Sequence, residues 1–247
     1  MGCRRGLSAR SRKPWGRFAP TRVRISPPPP RPYSSTDRVA VSGTVDAGSI
    51  PAGGTILREY NRGMRGKYVS RAGVKLEAAL RHFGVEVEGR VVLDVGAATG
   101  GFTDCLLRQG AVRVHAVETG YGLLAWKLRQ DPRVVVWERT NILYQVPIGE
   151  KVDLAVVDTS WTRLHLAVPA ASRFVKAGGV ILALIKPQYE VEKKKLKKGV
   201  LGEGRAREVA EEVRRRLMEL GFRLTEGVES AIKGEGGNSE FWVRIDL

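Results

Sequence analysis

Cysteine is rare in this sequence and long hydrophobic runs are missing, and both shortages narrow the classes of protein that it can encode. Cys3 and Cys105 are its two cysteines, and neither belongs to a CxxC pair. The chain therefore has no disulfide framework of the kind found in small secreted proteins. Its longest apolar run, Val180 to Ile185, is far shorter than the roughly 20 residues of a membrane-spanning helix. We expect a cytoplasmic protein without a membrane partner.

Acidic residues are also scarce beside the basic ones. The 247 residues include 42 Lys and Arg but 26 Asp and Glu, which gives a formal net charge of +16. A basic chain favours a polyanionic partner, because Lys and Arg displace counterions from phosphates. The excess is uneven, since residues 1–63 contain 12 of the basic residues and three of the acidic ones. The remainder is therefore moderately basic.

Residues 1–63 have neither helical nor strand periodicity and are rich in Arg, Ser, Pro and Gly, which favours a disordered or spurious N-terminal extension. Gly48–Pro51 and Val23–Ile25 match what the T-arm of a tRNA gene encodes, so this stretch is open to interpretation as translated tRNA genes. Translation would then start at Met64. The alternative is a flexible basic tail that binds RNA.

From residue 64 to residue 247, short apolar runs alternate with helical segments, a pattern that predicts one α/β domain with a parallel sheet. The predicted strands are Val91–Val95, Val114–Glu118, Val134–Trp137, Leu154–Asp158, Val180–Ile185, Phe222–Glu226 and Glu240–Ile245. The predicted helices are Gly73–Phe83, Gly101–Arg108, Leu123–Arg129, Leu164–Phe174 and Arg205–Leu220. The last helix has an apolar stripe of Val209, Val213, Leu217 and Leu220.

A glycine-rich turn follows the first predicted strand and opens a helix, which is where open α/β sheets bind ligands. Glycine lets the backbone turn sharply and approach a ligand closely. Because the spacing is not GxGxxG, we favour S-adenosylmethionine over a dinucleotide. The candidate binding residues in this turn are Asp94, Gly96, Ala97, Thr99, Gly100, Gly101 and Phe102.

Two later strand ends carry polar residues that suit the same ligand. Glu118 ends the second predicted strand, where a carboxylate can accept hydrogen bonds from ribose hydroxyls. Asn141 follows the third strand and is a weaker candidate for contact with adenine. The alternatives are an ordinary strand-to-helix turn with a surface acid, and a turn role for Asn141.

Four ionisable residues are expected at one edge of the sheet. Asp158 closes the fourth predicted strand, Lys186 follows the fifth and Glu240 opens the last, while Lys75 lies on the preceding helix. Because parallel strand ends converge on one crevice, we expect these side chains to meet there. Their alternative role is that of two structural ion pairs.

Several long blocks of the sequence resemble the TlyA family of FtsJ-like rRNA 2′-O-methyltransferases. They are Ser70–Leu76, DVGAATGGFTDCLL at 94–107, GYGLLAWKLRQDPRV at 120–134 and Gly237–Phe241. The resemblance implies a Rossmann-like class I methyltransferase fold, with a seven-stranded, mostly parallel sheet and helices on both faces. It also implies methylation of ribosomal RNA or ribosomal subunits, and a catalytic tetrad at Lys75, Asp158, Lys186 and Glu240.

The chemistry of ribose methylation explains why such residues suit the task. A 2′-hydroxyl is a weak nucleophile, so transfer benefits from a base that takes its proton as the methyl group arrives. Lys186 is our candidate base. A second cation such as Lys75 and partial desolvation favour its neutral form, whereas Asp158 and Glu240 favour the charged form.

The sequence departs from the family pattern in two places. Residues 1–63 do not resemble the small RNA-binding module that usually precedes this domain, and Asp158–Trp161 differs from the family's Asp-Val-Ser-Phe. A non-catalytic RNA-binding protein is therefore one alternative, and a haemolysin is another, disfavoured because no amphipathic segment is present.

Three further features have ordinary structural interpretations. We expect Trp126 and Trp161 to be core or pocket-rim residues, with stacking on an RNA base open to Trp161. The run Lys193–Lys198 is interpreted as a solvated loop rather than a phosphate grip. His82, His115 and His165 have no metal-ligand spacing, so we expect no metal.

Overall fold

Runs of valine, leucine and isoleucine build one central sheet. The computed structural model describes residues 66–144 and 146–247, without the side chains of Lys195 and Glu235. Its sheet has eight strands in this part of the chain. They are β1 (Val91–Val95), β2 (Arg113–Val117), β3 (Val134–Trp137), β4 (Val152–Val157), β5 (Val175–Ile185), β6 (Arg223–Leu224), β7 (Val228–Glu229) and β8 (Phe241–Asp246).

The strand order places a ligand crevice at the middle of the sheet. The order is β3-β2-β1-β4-β5-β8-β6, and β7 also pairs with β8. Strands β1 to β5 are parallel, whereas β8 runs antiparallel to β5, β6 and β7. The chain order reverses direction between β1 and β4, and such a switch point opens a crevice at the carboxyl ends of the two strands.

Helices cover both faces of the sheet, because the central strands are apolar on both sides. They are α1 (Ala72–His82), α2 (Gly101–Arg108), α3 (Trp126–Arg129), α4 (Leu164–Ser172), α5 (Pro187–Glu190) and α6 (Glu203–Glu219), with short 3₁₀ turns at Lys193–Lys195 and Glu235–Gly237. Leu164 of α4 and Val209 of α6 pack in one apolar core on one face. Leu76 of α1 and Leu106 of α2 pack in a second core on the other.

The predicted Rossmann-like α/β fold, mostly parallel with helices on both faces, is confirmed, although the strand count is eight instead of seven. The predicted strand Phe222–Glu226 is wrong as a single element, because β6 and β7 lie on either side of residues 225–227. The Arg214 guanidinium donates to the Thr225 carbonyl at 3.1 Å. That carbonyl therefore bonds a side chain at the point where the edge strand is interrupted.

Other boundaries differ in smaller ways. The predicted helix Leu123–Arg129 begins only at Trp126, because the Ala125 N–H donates to the Thr99 carbonyl at 3.1 Å and Ala125 is extended. Strand β5 begins five residues earlier than predicted, and the short helix α5 was not predicted. Leu220 leaves the apolar stripe, since it follows the end of α6 and is exposed.

Two further expectations concern the N-terminal segment and the lack of membrane-spanning helices. The predicted N-terminal extension, residues 1–63, lies outside the residues that the structure describes. Within the described part, none of the helices combines the length and the apolar character needed to cross a membrane.

Candidate active site

The first of two neighbouring cavities opens at the carboxyl ends of β1, β2 and β4. Its volume is about 430 Å³, within the range of ~300–1,000 Å³ typical of small-ligand sites. Of the residues predicted from the sequence, it is lined by Gly96, Glu118, Asn141, Asp158 and Lys186. The structure therefore brings both halves of the predicted site to one cleft, which we call the donor cleft.

Gly96 occupies the sharpest part of the turn after β1. Its φ is 89°, a value that residues with a Cβ rarely adopt. Its N–H donates to the Val117 carbonyl at 2.9 Å, and a Cβ atom here would overlap the carbonyl oxygen of Asp158. Only glycine lets β1, β2 and β4 end this close together.

Glu118 fixes the loops that border the donor cleft. Its carboxylate accepts from the Ala98 N–H at 2.9 Å and from the Gly120 N–H at 2.7 Å. One bond holds the glycine turn and the other holds the loop after β2. The carboxylate is thus preorganised at the edge of the cleft, where ribose hydroxyls could reach it.

The remaining glycine-turn candidates do not line the donor cleft. Ala97 and Phe102 are buried, and a Cβ at Gly100 would overlap the side chains of Leu124 and Leu128. A Cβ at Gly101 would meet Ser70 and Ala72, and the Thr99 carbonyl accepts from Ala125. Their observed contacts are with the protein, and their roles in ligand binding stay predictions.

Asp94 lies beneath the turn and is fully buried. Its Oδ2 accepts a hydrogen bond from the Thr103 hydroxyl at 2.6 Å. Burial raises the pKa of this carboxyl to about 7, against the lowering effect of the Thr103 hydrogen bond. Asp94 therefore supports the turn from below and does not face the cleft.

Asn141 has the turn role considered for it and lies at the donor cleft. It lines the donor cleft, and its side-chain oxygen also accepts from the Leu143 N–H at 2.9 Å. That bond is the side-chain turn expected of an Asn in a loop. Its contact with adenine stays a prediction.

The second cavity, which we call the substrate cleft, has a volume of about 240 Å³ and adjoins the first. Lys75 and Glu240 line it, and Lys186 and Ser160 line both cavities. Lys186 therefore stands where a molecule in one cleft would meet a molecule in the other.

The four ionisable residues form two ion pairs. Lys75 Nζ lies 2.6 Å from Glu240 Oε2, and both side chains are largely buried. Lys186 Nζ pairs with Asp158 Oδ1. Helix α1, the end of β4, the end of β5 and the start of β8 each supply one member, so the fold assembles the set from distant segments.

The charge on Lys186 follows from its surroundings. Burial lowers the pKa of the Lys186 ammonium, but the carboxylates of Asp158 and Glu240 outweigh burial, and the pKa lies above its ordinary value. In this state the lysine is a cation. The balance that sequence alone left open is decided by the two carboxylates.

Several residues at the clefts were not predicted. Thr119, Gly120 and Thr140 follow the ends of β2 and β3, while Gln188 and Tyr189 belong to α5 after β5. The signal that finds them is their place just beyond the carboxyl end of a parallel strand. Gly234 was also missed, although a Cβ there would overlap the Glu240 carboxylate.

The two tryptophans fit their prediction unequally. Trp161 lines the donor cleft and is 81% exposed, so it is a rim residue, with its ring centre 5.8 Å from that of Tyr189. Trp126 is 73% exposed and lines neither cavity, so its prediction was wrong. It sits at the first position of the four-residue α3, where Leu128 alone is buried.

A family model described as FtsJ-like methyltransferase matches residues 68–247. The chain is 45% identical over 189 residues to the 16S/23S rRNA (cytidine-2′-O)-methyltransferase TlyA of Mycobacterium tuberculosis, covering 72% of this chain and 68% of that protein. It is 41% identical over 189 residues to the candidate rRNA methyltransferase YqxC of Bacillus subtilis, covering 72% of this chain and 66% of that protein.

Solved structures give the same picture. A candidate hemolysin from Streptococcus thermophilus matches with a TM-score of 0.69 and 39% identity, over 72% of this chain and 66% of that one. An N-methyltransferase, NodS of Bradyrhizobium japonicum in complex with S-adenosyl-L-homocysteine, matches with a TM-score of 0.51 and 18% identity, over 77% of this chain and 97% of that one, which shows the fold alone. The chain spans about two thirds of the length of the two curated relatives.

Proposed function

The chain belongs to the FtsJ-like methyltransferase family, as its sequence blocks implied, and from this premise we propose that it methylates ribose 2′-hydroxyls of ribosomal RNA. The observation that carries the proposal is Lys186, which lines both the donor cleft and the substrate cleft. Methyl transfer needs the donor, the acceptor and a proton-accepting group at one point. We assign the reaction to the predicted domain, residues 64–247.

The donor cleft suits S-adenosylmethionine. When bound, this molecule supplies an electrophilic methyl group on a sulfonium. Glu118 would accept hydrogen bonds from its ribose, and Gly96 would leave room for it beside the carbonyl of Asp158. Asn141, on the same wall, would face the adenine. Asp94, Ala97, Thr99, Gly100, Gly101 and Phe102 would shape the turn rather than contact the donor directly.

The substrate cleft suits the ribose of the acceptor. In the transfer, the ribose 2′-oxygen forms a bond to the methyl carbon, the carbon–sulfur bond breaks, and the hydroxyl proton leaves to a base. We propose neutral Lys186 as that base. Asp158 orients its amine, while Lys75 and Glu240 hold the opposite wall through their own ion pair.

Lys186 must lose its proton before it can accept another. The two carboxylates hold its pKa above the ordinary value, whereas a like charge nearby lowers the pKa of an ammonium. A sulfonium in the donor cleft would be such a charge. Donor binding would therefore favour release of the lysine proton and prepare the site for the acceptor.

Ribosomal RNA or a ribosomal subunit is the proposed partner, and the cytoplasm is the proposed place of action. Two relatives carry rRNA methyltransferase names, and the chain's net charge of +16 suits a polyanion. Among the described residues, no group of three or more His, Cys, Asp or Glu could hold a metal ion.

A transfer assay tests the function. Radiolabelled S-adenosylmethionine is incubated with the full chain and either intact ribosomal subunits or protein-free rRNA, and label in RNA is counted. We expect incorporation with the wild type and very little with Lys186→Ala. Donor binding without transfer to either substrate would favour the non-catalytic RNA-binding alternative and overturn the proposal.

A further inference from the structure

The run of lysines after β5 is the strongest charged feature that the proposed chemistry does not use. Lys193, Lys194, Lys197 and Lys198 are all exposed. Lys194 pairs with Glu192 at 2.6 Å, whereas Lys193, Lys197 and Lys198 form no ion pair with any described residue. Three uncompensated cations within six residues favour an anionic partner.

Within this segment, residues 197–200 form a hydrogen-bonded two-residue turn. The Lys197 N–H donates to the Val200 carbonyl and the Val200 N–H to the Lys197 carbonyl, each at 3.0 Å. Lys198 and Gly199 between them have φ values of 51° and 81°. Such a two-residue turn usually has Asn, Asp or Gly in both positions. A lysine in the left-handed region is unfavourable for the backbone, which points to a role for its side chain.

Asn238 fastens the turn to the substrate cleft. It is buried, its side-chain NH₂ donates to the Gly199 carbonyl at 3.1 Å, and its side-chain oxygen accepts from the Leu201 N–H at 2.9 Å. Two residues further along the chain, Glu240 pairs with Lys75 in the substrate cleft. The turn is therefore held in place by the segment just before β8, which also supplies Glu240.

The other end of the run lies beside Trp161, at the rim of the donor cleft. Lys193 Nζ is 5.7 Å from the ring centre of Trp161, which lines the donor cleft. The Trp161 ring in turn approaches that of Tyr189, which lines the substrate cleft. An RNA strand whose ribose enters the substrate cleft would carry its flanking phosphates past these lysines.

We propose that Lys193, Lys197 and Lys198, held by Asn238, contact the phosphates of the RNA strand on one side of the methylated nucleotide. This inference rests on the proposed function and names a surface by which the domain holds its substrate. Phosphates suit the turn because lysine ammonium groups bind them as point charges without reading sequence. The contact would contribute to affinity and leave the choice of nucleotide to other residues.

The test is the salt dependence of RNA binding by the full chain. Filter binding to protein-free rRNA over a KCl series is compared for the wild type and Lys197→Gln/Lys198→Gln. Each lost phosphate contact lowers the slope of log affinity against log salt by about 0.7 to 0.9. We expect the slope to fall by about 1 to 2, and the dissociation constant at fixed salt to rise roughly tenfold.

A matched control removes two charges elsewhere. Arg215→Gln/Arg223→Gln changes two exposed residues. Arg223 lies opposite Asp246 in the register of β6 and β8, at the end of β8 away from Glu240. This control should bind RNA like the wild type. Donor affinity, measured by calorimetry, should be unchanged in both double variants and shows that they are folded.

Three outcomes would overturn the inference. An unchanged slope for Lys197→Gln/Lys198→Gln, with an active wild type, removes the lysines from the RNA contact and leaves the proposed function intact. Weaker binding to ribosomal subunits alone, with normal binding to protein-free rRNA, would assign the lysines to a ribosomal protein. A wild type that neither binds nor methylates rRNA would overturn the proposed function and this inference with it.

Discussion

Removal of the proton from the acceptor hydroxyl depends on single side chains, and Lys186 is the most direct of them to test. Lys186→Ala should lower turnover by roughly 10² to 10⁴ with little change in donor affinity, because proton transfer is lost. Lys186→Arg should be almost as poor, since arginine keeps the charge but does not release its proton. Steady-state kinetics with calorimetry measures both. An arginine variant with near-normal turnover would contradict the assignment of Lys186 as base.

Asp158 should set the pH at which the base becomes active. Its carboxylate is a principal reason that the pKa of Lys186 lies above the ordinary value. A base with a raised pKa is mostly protonated at neutral pH, so turnover should rise with pH. Asp158→Asn removes the charge and lowers the pKa of Lys186, which should move the rising limb of the pH–rate profile to lower pH.

The control for Asp158→Asn lies at the other end of the same strand. Asp153 pairs with Lys176 at 2.5 Å, and Asp153→Asn should leave the limb in place. A profile of Asp158→Asn that coincides with the wild type would show that Asp158 does not control the proton on Lys186.

For single residues, the sequence predicted where the side chains lie better than it predicted which side chains they contact. Strand ends placed Asp158, Lys186 and Glu240 at one crevice, and the structure brings them together with Lys75. The sequence did not predict which lysine pairs with which carboxylate, since the pairing depends on how α1 lies against β8. Nor did it predict the contacts of Gly100, which come from the packing of Leu124 and Leu128.

Among the elements, the turn between β1 and α2 is the one on which the donor cleft depends most. Gly96→Ala places a Cβ against the Asp158 carbonyl at a φ of 89°. We expect a loss of about 1 kcal/mol or more in unfolding free energy, and weaker donor binding because the end of β4 must move. Chemical denaturation and calorimetry measure the two effects.

Gly149→Ala is the matched change for Gly96→Ala. Gly149 has ordinary φ, and a Cβ there meets nothing within 4 Å, so stability and donor affinity should stay near those of the wild type. Equal behaviour of the two variants would mean that the turn tolerates a side chain and that its glycine is not required.

Element predictions succeeded where the pattern is local and failed where a distant contact intervenes. Strand β1 and helix α2 were predicted with their observed bounds, because apolar runs and a glycine turn mark them in the sequence. The edge strand was predicted as continuous, yet residues 225–227 separate β6 from β7, and there Arg214 from α6 bonds the Thr225 carbonyl. The start of α3 was misplaced because the Thr99 carbonyl holds Ala125 extended.

For the whole molecule, the predicted α/β methyltransferase fold is confirmed, and the family is established by a match over residues 68–247. The chain spans about two thirds of its curated relatives. How the domain would bind the proposed RNA substrate is the property least accessible to sequence, because a charge run has the same composition whether it is solvated or bound. The run Lys193–Lys198 differs from a plain solvated loop in its turn at Lys197–Val200, which Asn238 holds in place.

The position of the transferred methyl group tests the central claim most directly. A ribose methylated at its 2′-oxygen cannot attack the adjacent phosphate, so alkali leaves that linkage intact. After labelled transfer to ribosomal RNA and complete alkaline hydrolysis, we expect the label in resistant dinucleotides. Label in mononucleotides would place the methyl group on a base, and would contradict ribose 2′-O-methylation by this site.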